Sequence, residues 1–140
     1  MAYVLDSNIL VAALRSRQGA SFRIPTALLE GRLEAVASTA LLLEYADVLQ
    51  RDKNLAAFWV SPDEVQTVLA GLATYLRPVA INFRWRPQLS DPGDELVLEC
   101  AINGMARAIV TFNQRDFLPA APRFGIEVYG PAEVILLEQL

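Results

Sequence analysis

Four acidic residues stand at or near positions where the chain is expected to turn over one edge of a sheet. They are Asp6, Glu44, Asp94 and Asp116. Two carboxylates about 4 Å apart repel each other by roughly 4 kcal/mol at an effective dielectric near 20. A group of them therefore either takes up protons or binds a divalent cation. If the four acids converge, we expect them to bind Mg²⁺ or Mn²⁺, which can activate water during phosphodiester cleavage.

The lack of histidine and the scarcity of cysteine exclude several kinds of catalytic and metal site. The chain has no histidine and a single cysteine, Cys100. It therefore cannot form a Ser-His-Asp or Cys-His nucleophile, a histidine general base, or a zinc site of histidines or several cysteines. Carboxylate chemistry with an oxygen-preferring cation remains.

Length and composition indicate one globular domain over residues 1–140, with 54% hydrophobic residues. No apolar run approaches the ~18 residues of a membrane span, and the N-terminus lacks the basic start of a signal peptide. With one cysteine, the chain fits a reducing compartment, so we expect a cytoplasmic protein without membrane association. A net charge of −4 makes it a poor nonspecific binder of nucleic acid, although a metal ion or clustered arginines can supply positive charge.

Strands and helices are expected to alternate along the chain. Strands are predicted at 2–5, 33–37, 78–81, 107–110 and 126–128, and helices at 9–14, 22–32, 40–51, 62–76, 91–103 and 132–140. This alternation predicts a parallel sheet covered on both faces, with ligands beyond the carboxyl ends of the strands. Asp6 directly follows the first strand, and Asp116 follows the 107–110 strand by a few residues.

Each acid also has an ordinary structural interpretation. Asp6 can cap the first helix, although Ser7 can do so equally well. Glu44 can be a solvated helix residue, but helical spacing places it at the border of an apolar face. Asp116 can belong to an ordinary loop turn.

Asp94, in the helix predicted at 91–103, also has an ordinary structural interpretation. Asp94 can be a first-turn acid favoured by the helix dipole, and it too falls near the border of the apolar face. Asp91, before Pro92 and Gly93, is the expected cap. Glu95 and Glu99 are expected on the outer side.

Four segments, in order, resemble the PIN domain family. These are small metal-dependent ribonucleases that include the VapC-type toxins of toxin–antitoxin systems. The matching segments are Val4-Leu5-Asp6-Ser7-Asn8-Ile9-Leu10, residues 38–48 around Glu44, residues 91–101 around Asp94, and Ile109-Val110-Thr111-Phe112-Asn113 with Asp116-Phe117. Each motif is weak alone, and the order and spacing of all four carry the resemblance.

The resemblance implies a three-layer α/β/α PIN-like domain with a central parallel sheet of four or five strands. It implies an acidic pocket that binds Mg²⁺ or Mn²⁺ and acts on RNA, and the predicted catalytic residues and metal ligands are Asp6, Glu44, Asp94 and Asp116. Supporting polar groups would be Ser7, Asn8, Thr111 and Asn113. Many relatives carry an acid at the position of Asn113, and Asp91 and Glu99 are near enough in sequence to assist Asp94.

Expected partners are an RNA substrate, a cognate antitoxin protein and a second copy of the chain in a homodimer. Arginines are candidates for phosphate contacts, although each can equally be solvated or pack along the surface. The candidates are Arg15, Arg17, Arg23, Arg84, Arg86 and Arg115. Trp85, between two of them, adds a ring on which a base can stack.

Three other functions are weighed against a ribonuclease. The chain can be an inactive PIN-like module that acts by binding a partner protein. A response-regulator phosphoacceptor domain normally needs a lysine at the end of a late strand, whereas the only lysine, Lys53, follows a helix. A phosphatase with an Asp-x-Asp-x-Thr nucleophile is disfavoured because Asn8 stands where the second acid is required.

Overall fold

Five parallel strands form a single sheet in the computed structural model, which describes residues 1–140. The strands are β1 (Ala2–Leu5), β2 (Glu34–Ala37), β3 (Arg77–Pro78), β4 (Ala108–Val110) and β5 (Glu127–Tyr129). Their order across the sheet is β3-β2-β1-β4-β5, and every neighbouring pair is parallel. The predicted parallel sheet of four or five strands is therefore confirmed.

Helices connect all five strands. They are α1 (Ser7–Arg15), α2 (Ala20–Leu29), α3 (Thr39–Leu49), α4 (Asp52–Ala57), α5 (Pro62–Tyr75), α6 (Pro92–Asn103), α7 (Gln114–Phe117), a 3-10 helix (Ala121–Phe124) and α8 (Pro131–Glu138). Several starts follow from local sequence, because Ser38 and Asp91 cap α3 and α6 with their side chains and Ser61 forms a capping box with Glu64. No helix is long and apolar enough to cross a membrane.

The direction of the chain across the sheet sets the layers. From β1 to β3 the chain moves toward one edge, and from β3 to β5 it moves toward the other. Right-handed crossovers therefore put α6 on the opposite face from the helices that join β1, β2 and β3. In agreement, α6 packs against β1, β2 and β4, while α1, α2, α3 and α5 pack among themselves. This confirms the three-layer α/β/α fold.

The two central strands are completely enclosed. Every residue of β1 and β4 is buried, as expected for a parallel sheet covered on both faces. Side chains of the flanking helices fill the layers above and below, and the largest fully buried residues include Tyr3, Leu5, Ile9, Tyr45, Leu98, Ile109 and Phe117. The packed core therefore holds the backbone that leads to the ends of β1 and β4.

Some predicted boundaries are wrong. The strand predicted at 78–81 is reduced to Arg77–Pro78. Proline has no N–H to donate to the neighbouring strand, and beyond it only the Val79 amide donates a hydrogen bond to β2, at the Ala37 carbonyl. Helices α4 and α7 were not predicted, since four to six residues give too short a pattern.

Residues 82–91, the 82–91 segment, run beside α6 and are held by three of its side chains. Asn103 binds the backbone of Asn82 and Phe83, Glu99 pairs with Arg86, and Glu95 accepts hydrogen bonds from the amides of Gln88 and Leu89. Glu95 and Glu99 are each only 5% exposed. Their predicted outer position is wrong, because the 82–91 segment covers that side of α6.

Candidate functional site

The carboxyl ends of β1 and β4 bring Asp6 and Thr111 together. The Asp6 amide donates to the Val110 carbonyl at 2.9 Å, which extends the strand pairing by one residue. The Thr111 hydroxyl then donates to a carboxylate oxygen of Asp6 at 2.8 Å. These two strands flank the point at which the strand order reverses, where ligands of open parallel sheets bind.

The Thr111 hydroxyl is held by two further hydrogen bonds. It accepts from the Asn113 amide at 2.9 Å and from the Asn8 side-chain nitrogen at 3.3 Å. A hydroxyl has one hydrogen and two acceptor positions, so all of its capacity is used. Its hydrogen is consequently directed at Asp6.

Asp6 does not act as a helix cap, although it occupies the N-cap position of α1. Its side chain makes no capping hydrogen bond. The carboxyl group is buried, and this burial is the main reason that its pKa is raised. The Thr111 hydroxyl and the nearby amides of Ser7 and Asn8 act in the opposite direction, while the charge of Asp91 raises the pKa further.

A pocket of about 190 Å³ lies in front of Asp6. Helix α3 contributes Glu44, and the start of α6 contributes Asp94. The complete lining is Asp6, Ser7, Asn8, Leu41, Glu44, Asp91, Gly93, Asp94, Val97 and Asn113. Three of the four predicted acids therefore face one hollow, together with the neutral polar groups of Ser7, Asn8 and Asn113.

The pKa of Asp94 reflects the burial and negative charge of this pocket. Its pKa is raised to about 6, first by burial and then by the negative charges of Asp6, Asp91 and Asp116. Asp91 accepts hydrogen bonds from the amides of Gly93 and Asp94, at 2.7 and 3.2 Å, and so caps α6 as predicted. The field at Asp94 thus favours either a proton or another positive charge.

Gly93 leaves room beside the Asp91 carboxylate that caps α6. A Cβ atom at position 93 would lie 3.0 Å from an Asp91 carboxylate oxygen and 3.4 Å from a Glu44 carboxylate oxygen. Glu44 is half-buried, consistent with the border position that helical spacing predicted. The absence of a side chain at Gly93 keeps the space between the two helices open.

Asp116 is set apart from the other three acids. It is exposed on α7 and lies in a neighbouring depression, of which Asn113 is also a part. It remains close enough to raise the pKa of Asp94. The structure therefore brings Asp6, Glu44 and Asp94 to one pocket and leaves Asp116 beside it.

The donor set fits a hard cation in its chemistry. None of the four acids takes part in an ion pair with an arginine or lysine, and every polar lining group offers oxygen. No three acidic side chains are close enough to hold one metal ion. Magnesium in proteins commonly takes one or two carboxylates and completes its shell with water, so this arrangement is compatible with it.

Several other residues considered in the sequence do not face the pocket. Glu99 pairs with Arg86 and is not among the residues that line the pocket. Arg115, next to Asp116, makes no ion pair with it. Lys53 is exposed on α4 and does not stand at the end of a strand.

Sequence reasoning gave Thr111 a supporting role through the family resemblance alone. The signal for its contact with Asp6 was available: both residues directly follow buried strands that were expected to be parallel. What no local pattern indicated was that β1 and β4 are neighbours, because strand order is a tertiary property.

Comparison with known proteins identifies the arrangement. The family model described as PIN domain matches residues 2–115 and so ends one residue before Asp116. No curated protein sequence matches the chain. Among solved structures, a chain of VapBC2 from Rickettsia felis, in a crystal structure bound to a DNA fragment from their promoter, superposes with a TM-score of 0.61 at 17% identity, covering 93% of this chain and 98% of that one. At this identity the likeness shows the fold.

Proposed function

The chain belongs to the PIN domain family, and from this premise we propose that it is a metal-dependent endoribonuclease that hydrolyses RNA phosphodiester bonds. PIN domains are generally nucleases. The observation that carries the proposal is the pocket in which Asp6, Glu44 and Asp94 converge from β1, α3 and α6 without a basic partner. No positively charged side chain lines this pocket.

Asp6 and Asp94 would hold the Mg²⁺ or Mn²⁺ ion directly, since they are the two pocket acids whose pKa values the site raises. Glu44 would ligate or act through water, and Asp116, at the side of the pocket, would act through water. The chemistry that such an ion would supply is positive charge for the phosphate and easier deprotonation of water.

The other residues of the pocket have supporting roles in this proposal. Thr111 fixes the orientation of the Asp6 carboxylate, and Asn8 and the Asn113 amide fix Thr111. Groups that orient metal-binding carboxylates in this way tune both affinity and geometry. Asp6 itself is only 7% exposed.

We assign the chain the role of the toxin component of a toxin–antitoxin system, acting in the cytoplasm with a cognate antitoxin protein and as a homodimer. The likeness in fold to a chain of the VapBC2 complex supports the antitoxin partner. The single cysteine, buried and free, is compatible with a reducing compartment. A partly exposed groove between α1, α2 and α5, which includes Phe22, Leu29 and Trp59, offers apolar surface for such an assembly.

The decisive experiment compares the purified protein with its Asp6→Asn variant on single-stranded RNA, with Mn²⁺ and with EDTA. We expect cleavage by the unaltered protein with Mn²⁺ only, and a loss of at least about 100-fold in the variant. Asp47→Asn is the matched control, because Asp47 is exposed on α3 and pairs with Arg51. Cleavage that survives Asp6→Asn would refute the assignment.

The second candidate function is a PIN-like module that binds a partner without cleaving RNA. It is favoured by the finding that no three acids are close enough to hold one ion. Titration of the folded protein with Mn²⁺ in a calorimeter separates the two functions. Saturable binding that Asp6→Asn removes supports the nuclease, and the absence of heat with a folded chain supports the partner-binding module.

A further inference from the structure

The outer side of the 82–91 segment presents a row of aromatic rings. Trp85 stacks on Phe124, with ring centroids 5.4 Å apart and an interplanar angle of 28°. The Phe83 ring is tilted by 48° to that of Trp85, with centroids 6.0 Å apart. Phe83 and Trp85 are 57% and 54% exposed. We call these three residues the aromatic platform.

A groove of about 390 Å³ adjoins the platform. Trp85 and Phe124 form part of its wall, and the remaining lining comes from the end of α6 and from the segments that lead into β4 and β5. The lining residues are Trp85, Ala101, Ile102, Met105, Ala106, Phe124, Gly125 and Ile126. None of them is acidic, in a chain whose net charge is −4.

Unpaired arginines accompany the platform. Arg84 precedes Trp85, Arg123 precedes Phe124, and both side chains are exposed and form no ion pair. Arg115, also exposed and unpaired, lies on α7, which packs on α6 beside the acidic pocket. By contrast, several other arginines of the chain are neutralised by acids: Arg32, Arg51, Arg77 and Arg86.

The platform and the acidic pocket lie at opposite ends of α6. Trp85 adjoins Ile102 and Met105 at the C-terminal end, whereas Asp94 is in the first turn. Twelve residues at about 1.5 Å each separate the two ends by roughly 18 Å. A few nucleotides of single-stranded nucleic acid extend over this distance.

We propose that the aromatic platform, with Arg84 and Arg123, is a binding subsite for single-stranded RNA, in which bases stack on Trp85 and Phe83 while the arginines contact phosphates. The subsite rests on the proposed function, because its RNA would lead to the acidic pocket. Sequence-tolerant binders of single strands combine stacking rings with a positive surface in this way. Arginines without acidic partners favour a phosphate-bearing ligand over a purely apolar protein surface.

Trp85 provides a direct optical test. The chain has two tryptophans, so Trp59→Phe leaves Trp85 as the sole fluorophore. In EDTA, where cleavage is absent, an unstructured RNA of about 12 nucleotides is titrated into this variant. We expect saturable quenching of Trp85, and much weaker quenching by a duplex of the same length, whose bases are already stacked on one another.

Affinity measured by anisotropy of a labelled RNA gives the second test. Trp85→Ala is expected to weaken binding about tenfold, while Tyr75→Ala, which removes an equally exposed ring on α5, stays within about twofold. Arg84→Gln is expected to lower the slope of log affinity against log salt by about 0.7. Lys53→Gln, an exposed and unpaired charge on α4, is expected to leave it unchanged. Melting temperatures confirm that each variant is folded.

Two results would overturn the subsite: equal affinity of Trp85→Ala and the unaltered protein for RNA, or quenching by an acidic oligoglutamate peptide and not by RNA. The second result would assign the platform to a protein partner. Because binding is measured without metal, the outcome is independent of cleavage. If RNA stacks on Trp85 but no Mn²⁺-dependent cleavage occurs, the subsite is supported and the nuclease function is rejected. If cleavage occurs without stacking, the nuclease function is supported and the subsite is rejected.

Discussion

The Thr111 hydroxyl donates a 2.8 Å hydrogen bond to the Asp6 carboxylate, although the two residues are 105 positions apart in the chain. Each directly follows a central strand, so the pairing of β1 with β4 sets their separation. Asp6 is thereby oriented by the sheet itself and not by a flexible loop.

Replacing Thr111 with valine tests this orientation. Valine keeps the shape but removes the donor to Asp6 and the acceptor of the Asn113 amide. We expect a loss of about 1–3 kcal/mol in the free energy of unfolding and a fall of about 10- to 100-fold in Mn²⁺-dependent cleavage. Thr111→Ser keeps the hydroxyl and is expected to retain most of both. Equal activity of the valine and serine variants would count against the role of the hydrogen bond.

The acids are expected to differ in importance according to their positions. Asp94→Asn should reduce cleavage at least about 100-fold, Glu44→Gln less, and Asp116→Asn least, because Asp116 is exposed and outside the pocket. The measurement is kcat/KM on one RNA at saturating Mn²⁺, with the exposed Asp63→Asn as control. A larger effect from Asp116 than from Asp94 would contradict the assignment of ligands.

Stability of the metal-free protein should depend on pH through Asp94. Its pKa is about 6 in the folded state against 3.8 ordinarily. Between these values the unfolded chain has lost the proton while the folded chain still holds it. The folded state therefore binds more protons, and this contribution to stability falls as pH rises from about 4 to about 6.

The measurement is the urea midpoint at several pH values in EDTA. Between about pH 4 and pH 6, we expect the urea midpoint of the unaltered protein to fall relative to that of Asp94→Asn as pH rises. Above this range, the difference between the two midpoints should be constant. Affinity for Mn²⁺ should rise over the same range, because the ion competes with the proton. A difference that does not vary with pH would show that Asp94 titrates normally.

Removing Arg86 tests the anchoring of the 82–91 segment. In Arg86→Ala the Glu99 carboxylate, which is 5% exposed, is left without its partner. We expect a loss of about 2 kcal/mol in the free energy of unfolding. Adding Glu99→Gln should recover part of this loss, since a neutral amide is less costly to bury.

The control for this pair is Arg51→Ala, which removes an exposed i,i+4 partner of Asp47 and should change stability little. The four free energies of unfolding, of the protein, the two single variants and the double variant, form a cycle. Additive effects in that cycle would mean that Arg86 and Glu99 do not stabilise the fold as a pair.

Much of the fold could be predicted because its local signals agree. The apolar run before Asp6, the capping residues Ser38 and Ser61, and Asp91 before Pro92 each mark a boundary that the structure confirms. Each depends on a few neighbouring residues. The alternation of strands and helices predicts a parallel sheet, and the rules for connecting parallel strands leave few possible strand orders.

What could not be predicted depends on contacts between distant residues. Periodicity placed Glu95 and Glu99 outside, because it gives no sign that the 82–91 segment covers them. Gly104 follows the last residue of α6, and no local pattern indicates that a Cβ atom there would lie 2.9 Å from Val79 and 3.1 Å from Val36. The separation of Asp116 from the pocket follows from the short helix α7, which no pattern of its length reveals.

The pairing of β1 with β4 has a consequence during protein synthesis. A ribosome that has made only the first half of the chain has produced Asp6 and Glu44, but not Asp94, nor the strand that orients Asp6. A nascent chain of this length therefore has no complete acidic pocket, and the proposed cleavage of RNA would also require α6 and β4. In a ribonuclease of the proposed kind, the order in which the residues are made would delay cleavage of RNA by the nascent chain.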